Sequence, residues 1–266
     1  MGALTSGPYT ALVILTVIEN SASVPLDRFA GWLAEAPEAP DIEIVRAWDG
    51  DAIPTLAECG DGLLVLGGLQ HAYDDDGSPW LPATRALLAE AAHTALPTLG
   101  LCLGAQLLAA ATGGSVQVAA PPGRESGVIE VAPRPEAVRD PLLGELAADV
   151  PADHPLGGGV LARVPSMHAD AVVTLPPGAV WLASSAQYPY QAFRVGPAAW
   201  GLQFHPEASE RTVLGWAEEL DDVDTAEVAA ELREHADEIE RAGRAIAVSF
   251  AELVAESARR SAELAG

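Results

Sequence analysis

Cysteine is scarce in this sequence. Only Cys59 and Cys102 occur among 266 residues, and neither cysteine nor histidine recurs at the short spacings that are typical of a zinc site. A chain of this length that relied on disulfides in an oxidising compartment would carry more cysteine. We therefore predict free thiols, a cytoplasmic location and no metal. Cys59, which stands directly before Gly60, is interpreted as structural or incidental.

Basic residues are also few. The chain has 14 Lys and Arg residues against 38 Asp and Glu residues, which gives a formal net charge of −24. Phosphate backbones and anionic lipid surfaces would repel such a chain, so we expect no nucleic-acid partner and no membrane partner. The acidic residues are spread along the chain rather than gathered in a tail, and this distribution indicates a role in solubility.

Long apolar runs and nucleotide-binding motifs are missing as well. No run approaches the roughly 20 apolar residues of a membrane span, and the apolar segment 11–18 follows no basic stretch, so no secretory signal is predicted. Gly60-Asp-Gly62 precedes a strand and lacks a third glycine, and no P-loop occurs. Asp74-Asp75-Asp76 precedes a Gly-Ser-Pro sequence and is interpreted as a solvated turn. We predict no cofactor.

The sequence does contain an alternation of strand-like and helix-like segments. Strands are predicted at 11–18, 41–48, 62–68 and 96–101, with helices at 26–35 and 80–93. Continuous apolar runs of this length are typical of parallel strands that are covered on both faces. We therefore predict an α/β fold with a doubly wound, mostly parallel but mixed central sheet, helices on both faces and a flavodoxin-like arrangement.

The pattern changes beyond residue 113. Short strands and turns there are interpreted as an antiparallel part of the same domain, and 133–165 is predicted to form loops with one short helix near 142–148. After Glu207 the chain reads as helical, with a capping-box-like start at Asp224 and a predicted kink or break at Gly243. We divide the chain into a domain at 1–220 and a helical extension at 221–266. The extension is expected to pack on that domain or to form an interface, for example in a homodimer.

One stretch of seven residues points to chemistry. Gly100-Leu-Cys102-Leu-Gly104-Ala-Gln106 joins the strand at 96–101 to an apolar helix-like run. Glycines on both sides of a cysteine allow a sharp strand-to-helix turn, and the positive end of the helix would stabilise the reactive thiolate. This arrangement is typical of a nucleophile, and Cys102 is the predicted one.

A cysteine nucleophile needs a base and an oxyanion site. His205 can accept the proton, and Glu207 can orient the imidazole ring if the backbone there is extended, because side chains alternate along a strand. Leu103 follows the nucleophile and offers one backbone N–H. Gly67-Gly68, at the end of the predicted third strand, is the expected source of the second. Ligands of such sheets bind beyond the carboxyl ends of the strands, where these residues fall.

Two motifs together resemble the class I glutamine amidotransferases. The elbow matches the Gly-x-Cys-x-Gly-x-Gln signature of that family, and the segment from Gly201 to Glu207 matches its second signature. The similarity spans about 12–207 and looks closest to the stand-alone branch akin to the glutaminase domain of GMP synthase. Two positions differ: Leu69 stands where the family often has proline, and Ala169 stands where it has glycine.

The resemblance implies a role for each matching residue. It makes Cys102 the nucleophile, His205 the base and Glu207 the residue that orients the base. It also implies that Gly68 and Leu103 supply the oxyanion N–H groups, and that Asp170 pairs with the substrate ammonium. The other substrate-binding residues that it implies are Gly67, Gln106 and His168.

The predicted function is hydrolysis of the glutamine side-chain amide through a cysteinyl thioester. The resemblance implies that the ammonia passes to an acceptor, bound by a separate synthetase subunit or met in solution. Two alternatives stay open: a γ-glutamyl hydrolase or transferase that acts on γ-glutamyl amides or peptides, and a non-catalytic binding subunit of the same fold.

Overall fold

The computed structural model describes residues 12–148 and 159–265. A nine-stranded sheet has the order β2-β1-β3-β4-β11-β10-β9-β6-β7, and β5 and β8 pair separately. The strands are β1 (Ile14–Glu19), β2 (Asp41–Arg46), β3 (Gly62–Val65), β4 (Thr98–Leu101), β5 (Ser115–Gln117), β6 (Glu125–Pro133), β7 (Ala162–His168), β8 (Ala171–Thr174), β9 (Val180–Ser184), β10 (Ala192–Val195) and β11 (Ala199–Leu202). The helices are α1 (Phe29–Leu33), α2 (Leu81–His93), α3 (Leu103–Ala111), α4 (Gly144–Ala148), α5 (Glu210–Glu218), α6 (Thr225–Glu234) and α7 (Ala236–Ala265).

The predicted fold class is confirmed. The first five strands of the sheet order, from β2 to β11, run parallel, and the other four pair in antiparallel fashion. Leu15 and Val17 of β1 belong to a core that includes α1 and α7, whereas Ile18 belongs to a core formed with α2 and α3. Both faces of the sheet are therefore covered, which explains why its central strands are apolar in continuous runs.

The candidate site residues lie at one edge of the sheet, where the parallel strands end. The carboxyl ends of β1, β3, β4 and β11 lie side by side, because these strands are neighbours with a common direction. Gly67 follows β3, Cys102 follows β4 and His205 follows β11. The predicted gathering of these residues beyond the strand ends is therefore present.

Several element boundaries differ from those predicted. The strand predicted at 11–18 is Ile14–Glu19, and residue 11 lies outside the described residues. The region predicted as loops, 133–165, contains α4 but also the beginning of β7; residues 149–158 lie outside the described part. Pro165 lies within β7, and a proline is usually taken as evidence against a strand, so this strand was hard to predict from the sequence.

The prediction of a break at Gly243 is wrong. The helix α7 runs from Ala236 to Ala265 without interruption, and the chain turns instead at His235, between α6 and α7. Gly243 allows close packing: a Cβ there would lie 2.3 Å from the Pro206 carbonyl oxygen and 2.5 Å from Trp32 Cζ3. The predicted helix start at Asp224 is confirmed, since its side chain accepts hydrogen bonds from the N–H groups of Ala226 and Glu227.

The C-terminal helices share cores with the rest of the chain. Ile246, Phe250 and Val254 of α7 belong to the same core as Leu15 and Trp32. A third cluster joins Val24 to apolar residues of α5 and α6 and to the start of α7. In the described ranges, no helix is both long and apolar enough to cross a membrane.

Candidate active site

The turn at Cys102 has the geometry of a nucleophile elbow. Cys102 has φ +47° and ψ −105°, and it stands between the last residue of β4 and the first residue of α3. A Cβ on Gly100 would lie 2.5 Å from the Gly104 carbonyl carbon, and a Cβ on Gly104 would lie 2.1 Å from the Val65 carbonyl oxygen. Both glycines are therefore required by the close approach of strand and helix, which is the physical reason for their spacing.

The Cys102 side chain is nearly enclosed. The residue is 7% exposed, and its carbonyl oxygen accepts the first helical hydrogen bond, from Gln106 N at 3.0 Å. The Gln203 amide, Nε2, lies 3.8 Å from the sulfur. The thiol sits at the positive end of α3, where a developing negative charge on sulfur is favoured. Gln203 was part of a recognised motif, but nothing in the sequence assigned it this contact.

His205 and Glu207 meet as predicted, but not for the predicted reason. His205 Nδ1 lies 2.7 Å from Glu207 Oε1, and both side chains are at least 97% buried. The contact is made in a turn after β11, where Ala208 N bonds to His205 O, and not along an extended strand. Among the described residues, Glu207 Oε2 has no hydrogen-bond partner. The imidazole of His205 is therefore the group that balances the negative charge of this buried carboxylate.

The surroundings of His205 favour its protonated form. Burial opposes a charge on the ring, but electrostatic attraction from Glu207 and from Cys102 outweighs it and raises the pKa of His205 to about 10. A Cβ on Gly67 would lie 2.9 Å from His205 Cε1 and 3.5 Å from Cys102 Cβ. Gly67 therefore keeps open the space that the imidazole and the thiol share.

Trp216 is a residue that the sequence analysis missed. Its ring packs on the His205 ring with centroids 4.6 Å apart, and its Nε1 donates to the Ser23 carbonyl oxygen at 2.7 Å. Trp216 is thus held in place by the Ser23 carbonyl oxygen and limits the movement of the His205 ring. The only available signal was a tryptophan in the first helix after the His-Pro-Glu motif, which is too common a feature to predict it.

A buried asparagine holds the glycine loop at the predicted oxyanion site. The Asn20 side chain donates to Leu66 O at 2.8 Å and accepts from Trp80 Nε1 at 3.1 Å, and Asn20 O accepts from Gln70 Nε2. A Cβ on Gly68 would lie 2.5 Å from Gln70 Oε1 and 3.0 Å from Asn20 Cβ. The loop is thus fixed by packing and hydrogen bonds with Leu69 directly after Gly68.

The N–H groups of Gly68 and Leu103 are available to a ligand. Leu103 is the first residue of α3, so its N–H has no partner within the helix. In the described part of the chain, no protein acceptor takes the Gly68 N–H. A Cβ on Gly68 would lie 2.8 Å from Leu103 Cδ2, so the two residues are close neighbours.

The opposite wall is built from Gln106 and the segment that contains Asp170. Gln106 Nε2 donates to the Asp170 carbonyl oxygen at 2.9 Å, and His168 Nδ1 contacts the same oxygen at 3.0 Å. His168 Nε2 lies 3.2 Å from Glu125 Oε2 in the interior. The side chains of Gln106 and His168 therefore fix the backbone of this wall.

One pocket of about 340 Å³ unites most of the predicted residues. Gly67 and Glu207 lie outside its lining, behind His205 and the glycine loop. Nine further lining residues were not predicted as site residues, namely Val24, Leu69, Gln70, Arg124, Met167, Ala169, Trp216, Glu219 and Leu220. In the described ranges, no group of three or more His, Cys, Asp or Glu residues is placed to hold a metal ion. The predicted residues in the lining are Gly68, Cys102, Leu103, Gln106, His168, Asp170 and His205.

Comparison with known proteins gives consistent results. GMP synthase [glutamine-hydrolyzing] from Thermomicrobium roseum is 36% identical over 156 residues, which are 58% of this chain and 24% of that protein. The enzyme of the same name from Brucella melitensis is 31% identical over 150 residues, 54% of this chain and 25% of that protein. This chain thus spans about a quarter of the length of these relatives.

Solved structures of similar fold cover nearly the whole chain. A glutamine amidotransferase from Methylobacillus flagellatus superposes with a TM-score of 0.74 at 26% identity, covering 91% of this chain and 96% of that one. One from Thermotoga maritima, at 24% identity, has the same TM-score and covers 91% and 99%. The family model for class-I glutamine amidotransferase matches residues 40–213. This chain therefore belongs to the class I glutamine amidotransferase family.

Proposed function

We propose that this protein hydrolyses the side-chain amide of glutamine, with Cys102 as nucleophile. The observation that carries the proposal is the placement of the Cys102 thiol, the His205–Glu207 pair and the free N–H groups of Gly68 and Leu103 around one pocket. A nucleophile, an oriented base and oxyanion donors are the three components that acyl transfer through a thioester needs.

The first half of the reaction forms the thioester. The Cys102 thiolate attacks the side-chain carbonyl carbon, and the oxygen takes up negative charge beside the N–H groups of Gly68 and Leu103. The protonated imidazole of His205 then gives its proton to the leaving nitrogen, and ammonia departs as the C–N bond breaks. Glu207 stabilises the imidazolium form before this transfer.

The second half returns the enzyme to its starting state. Neutral His205 removes a proton from water, and the resulting hydroxide attacks the thioester carbonyl carbon. The C–S bond breaks, glutamate leaves, and the Cys102 thiolate again faces a protonated His205. Because two relatives are named as glutamine-hydrolysing GMP synthases, we further propose that the ammonia passes to an acceptor on a separate synthetase subunit.

A second candidate function uses the same chemistry on a γ-glutamyl amine. Glu219 and Leu220, at the end of α5, line the pocket together with Trp216, which packs on His205. Because His205 protonates the leaving nitrogen, residues next to it are placed to contact a substituent on that nitrogen. A carboxylate at Glu219 would suit a leaving group that carries an amine.

The test compares ammonia or amine release from glutamine and from γ-glutamyl amines by the wild type and by Cys102→Ala. Cys59→Ala is the matched control: Cys59 lies outside the pocket, and burial raises the pKa of its thiol to about 11, so it is protonated and unreactive at neutral pH. We expect release that depends on Cys102 and not on Cys59. A preference for γ-glutamyl amines over glutamine would select the second candidate.

A labelling experiment tests the role of Cys102 even if turnover requires a partner protein. An electrophilic glutamine analogue with a γ-chloroketone should alkylate Cys102 and leave Cys59 free, as read by mass spectrometry of the intact protein and its peptides. If neither release nor Cys102 labelling occurs, the non-catalytic alternative replaces the proposal.

A further inference from the structure

The loop 20–28, between β1 and α1, contacts several parts of the candidate site. Asn20 binds the glycine loop through the Leu66 carbonyl oxygen, and Val24 lines the pocket. The Ser23 carbonyl oxygen accepts a hydrogen bond from Trp216 Nε1. One segment therefore connects the predicted oxyanion loop with the tryptophan that packs on the candidate base.

Asp27 joins this loop to the beginning of α5. Its Oδ2 accepts hydrogen bonds from Ser209 N at 2.7 Å and from Thr212 Oγ1 at 2.6 Å. Ser209 is the N-cap residue of α5, and a carboxylate near the positive end of a helix is favoured. Because Ser209 comes two residues after Glu207, Asp27 restrains the chain directly beyond the turn that holds His205 and Glu207.

The backbone next to Asp27 contacts Glu207 itself. Arg28 N donates a hydrogen bond to the Glu207 carbonyl oxygen at 3.1 Å. Asp27 has φ +46°, in the left-handed region that aspartate adopts more readily than most residues but still at a cost. Such a conformation persists only where the surrounding contacts impose it. Residues 27 and 28 together therefore restrain both ends of the segment 207–209.

Comparison with Asp224 separates this role from that of an ordinary helix cap. Asp224 Oδ1 accepts hydrogen bonds from Ala226 N and Glu227 N, which lie within the first turn of α6. An ordinary cap binds N–H groups of this kind. Asp27 instead binds the N–H of Ser209, which precedes the first helical residue of α5. Asp224 therefore stabilises its helix, whereas Asp27 also restrains the turn before one.

We infer that Asp27 is a positioning residue for the His205–Glu207 pair. It holds the turn 205–208 so that the imidazole keeps both its hydrogen bond to Glu207 and its place beside Cys102. Asp27 does not line the pocket, so it acts through the turn and not on the substrate. This inference rests on the proposed function for its effect on rate, but the hydrogen bond itself is measured separately below.

The kinetic test compares Asp27→Gly with Asp27→Asn. Glycine adopts a positive φ without strain but lacks the acceptor, whereas asparagine tolerates this φ and keeps an oxygen. One oxygen of Asp27 accepts both hydrogen bonds, so an amide oxygen can replace it. We expect Asp27→Gly to lower kcat for glutamine about 10- to 100-fold and to change KM less than about threefold, because the base is displaced. Asp27→Asn should stay within about threefold of the wild type in both constants. Wild-type kcat in Asp27→Gly, or equal losses in the two variants, would overturn the inference.

Asp224→Gly is the matched control. It also removes a carboxylate that accepts two hydrogen bonds at the beginning of a helix, but it lies outside the pocket lining. Its urea midpoint should fall, as that of Asp27→Gly should, while its kcat stays at the wild-type value. Thr212→Val removes one of the two bonds to Asp27. It should lower kcat in the wild type and have no further effect in Asp27→Gly, because the two residues act through one contact. A loss of kcat in Asp224→Gly equal to that in Asp27→Gly would overturn the inference.

A spectroscopic measurement separates failure of the inference from failure of the proposed reaction. Proton–nitrogen NMR of protein with isotope-labelled histidine reports the His205 Nδ1–H that faces Glu207, and its signal is assigned by its loss in His205→Asn. This measurement needs no turnover.

We expect the signal in the wild type and in Asp27→Asn, and its broadening or loss in Asp27→Gly, because a weakened hydrogen bond lets the proton exchange faster with water. An unchanged signal in Asp27→Gly, or no signal in the wild type, would overturn the inference. The expected pattern in a wild type that releases no ammonia would contradict the proposed reaction alone.

Discussion

Glu207 accepts a hydrogen bond from His205 at 2.7 Å, although only Pro206 separates the two residues. The turn after β11 makes this possible, and burial of both side chains places the pair where the dielectric screening of water is weak. The Glu207 carboxylate thus orients the imidazole and stabilises its protonated form. The four predictions below depend on this pair and on the residues that pack around it.

Glu207→Gln should lower kcat for glutamine hydrolysis by about 10²- to 10⁴-fold, because a neutral amide can orient the ring but does not stabilise the imidazolium form. KM should change less than about threefold, since Glu207 does not line the pocket. Steady-state kinetics with quantified active protein measures both. A large change in KM with kcat preserved would contradict the assigned role.

The pKa of His205 predicts how stability depends on pH. Its folded value, about 10, lies above the value of about 6.5 in an unfolded chain. The stabilisation is therefore complete below about pH 6.5 and is lost as the pH rises toward the folded pKa. Between pH 6.5 and 9.5, urea unfolding should show wild type losing more stability than His205→Asn, by on the order of 1 kcal/mol per pH unit. Equal losses in the two proteins would show that the pKa is not raised.

Gly67→Ala should impair catalysis more than stability. The new Cβ would lie 2.9 Å from His205 Cε1, 3.0 Å from Val24 Cγ1 and 3.5 Å from Cys102 Cβ, so the imidazole must shift from its position beside Cys102. A displacement of about 1 Å can cost about 100-fold in rate. The control is Gly215→Ala in α5, where the added methyl meets nothing within 4 Å. Wild-type kcat in a folded Gly67→Ala protein would refute the prediction.

Gly243→Ala should affect both stability and activity, although it lies in the last helix. Its Cβ would meet the carbonyl oxygen of Pro206, the residue between His205 and Glu207, and the Trp32 ring. We expect a loss of about 1–3 kcal/mol in the free energy of unfolding, as for other overpacked sites, and a lower kcat. Gly215→Ala should instead be neutral or raise stability by up to about 1 kcal/mol. Thermal unfolding and kinetics of the two variants give the comparison.

The position of the candidate site could be predicted because it is encoded in short segments. Gly100 and Gly104 identify the elbow because any other residue at these positions would place its Cβ within about 2.5 Å of backbone atoms. Few other residues can therefore occupy them. The apolar runs that became β1, β3 and β4 indicated a sheet covered on both faces for a similar reason: burial on two sides admits few polar residues.

The parts that could not be predicted depend on contacts between distant segments. Trp216 on Ser23, Asn20 on Leu66 and Asp222 beside Arg124 each join residues that are far apart in sequence. Gly243 shows the same limit. A glycine within a helical pattern can mark a break or a close approach, and only the position of Pro206 and Trp32 distinguishes the two.

The sequence by itself therefore determined the α/β class and located the turn at Cys102, the segment with His205 and Glu207 and the glycines around them, because backbone sterics and burial restrict which residues fit at those positions. The tertiary structure alone decided how the site is completed. It brought Arg124 and the end of α5 to one pocket and paired Arg124 with Asp222. It also joined α7 to the segment that holds His205 and Glu207. Packing between segments distant in sequence depends on the whole fold, and no local pattern records it.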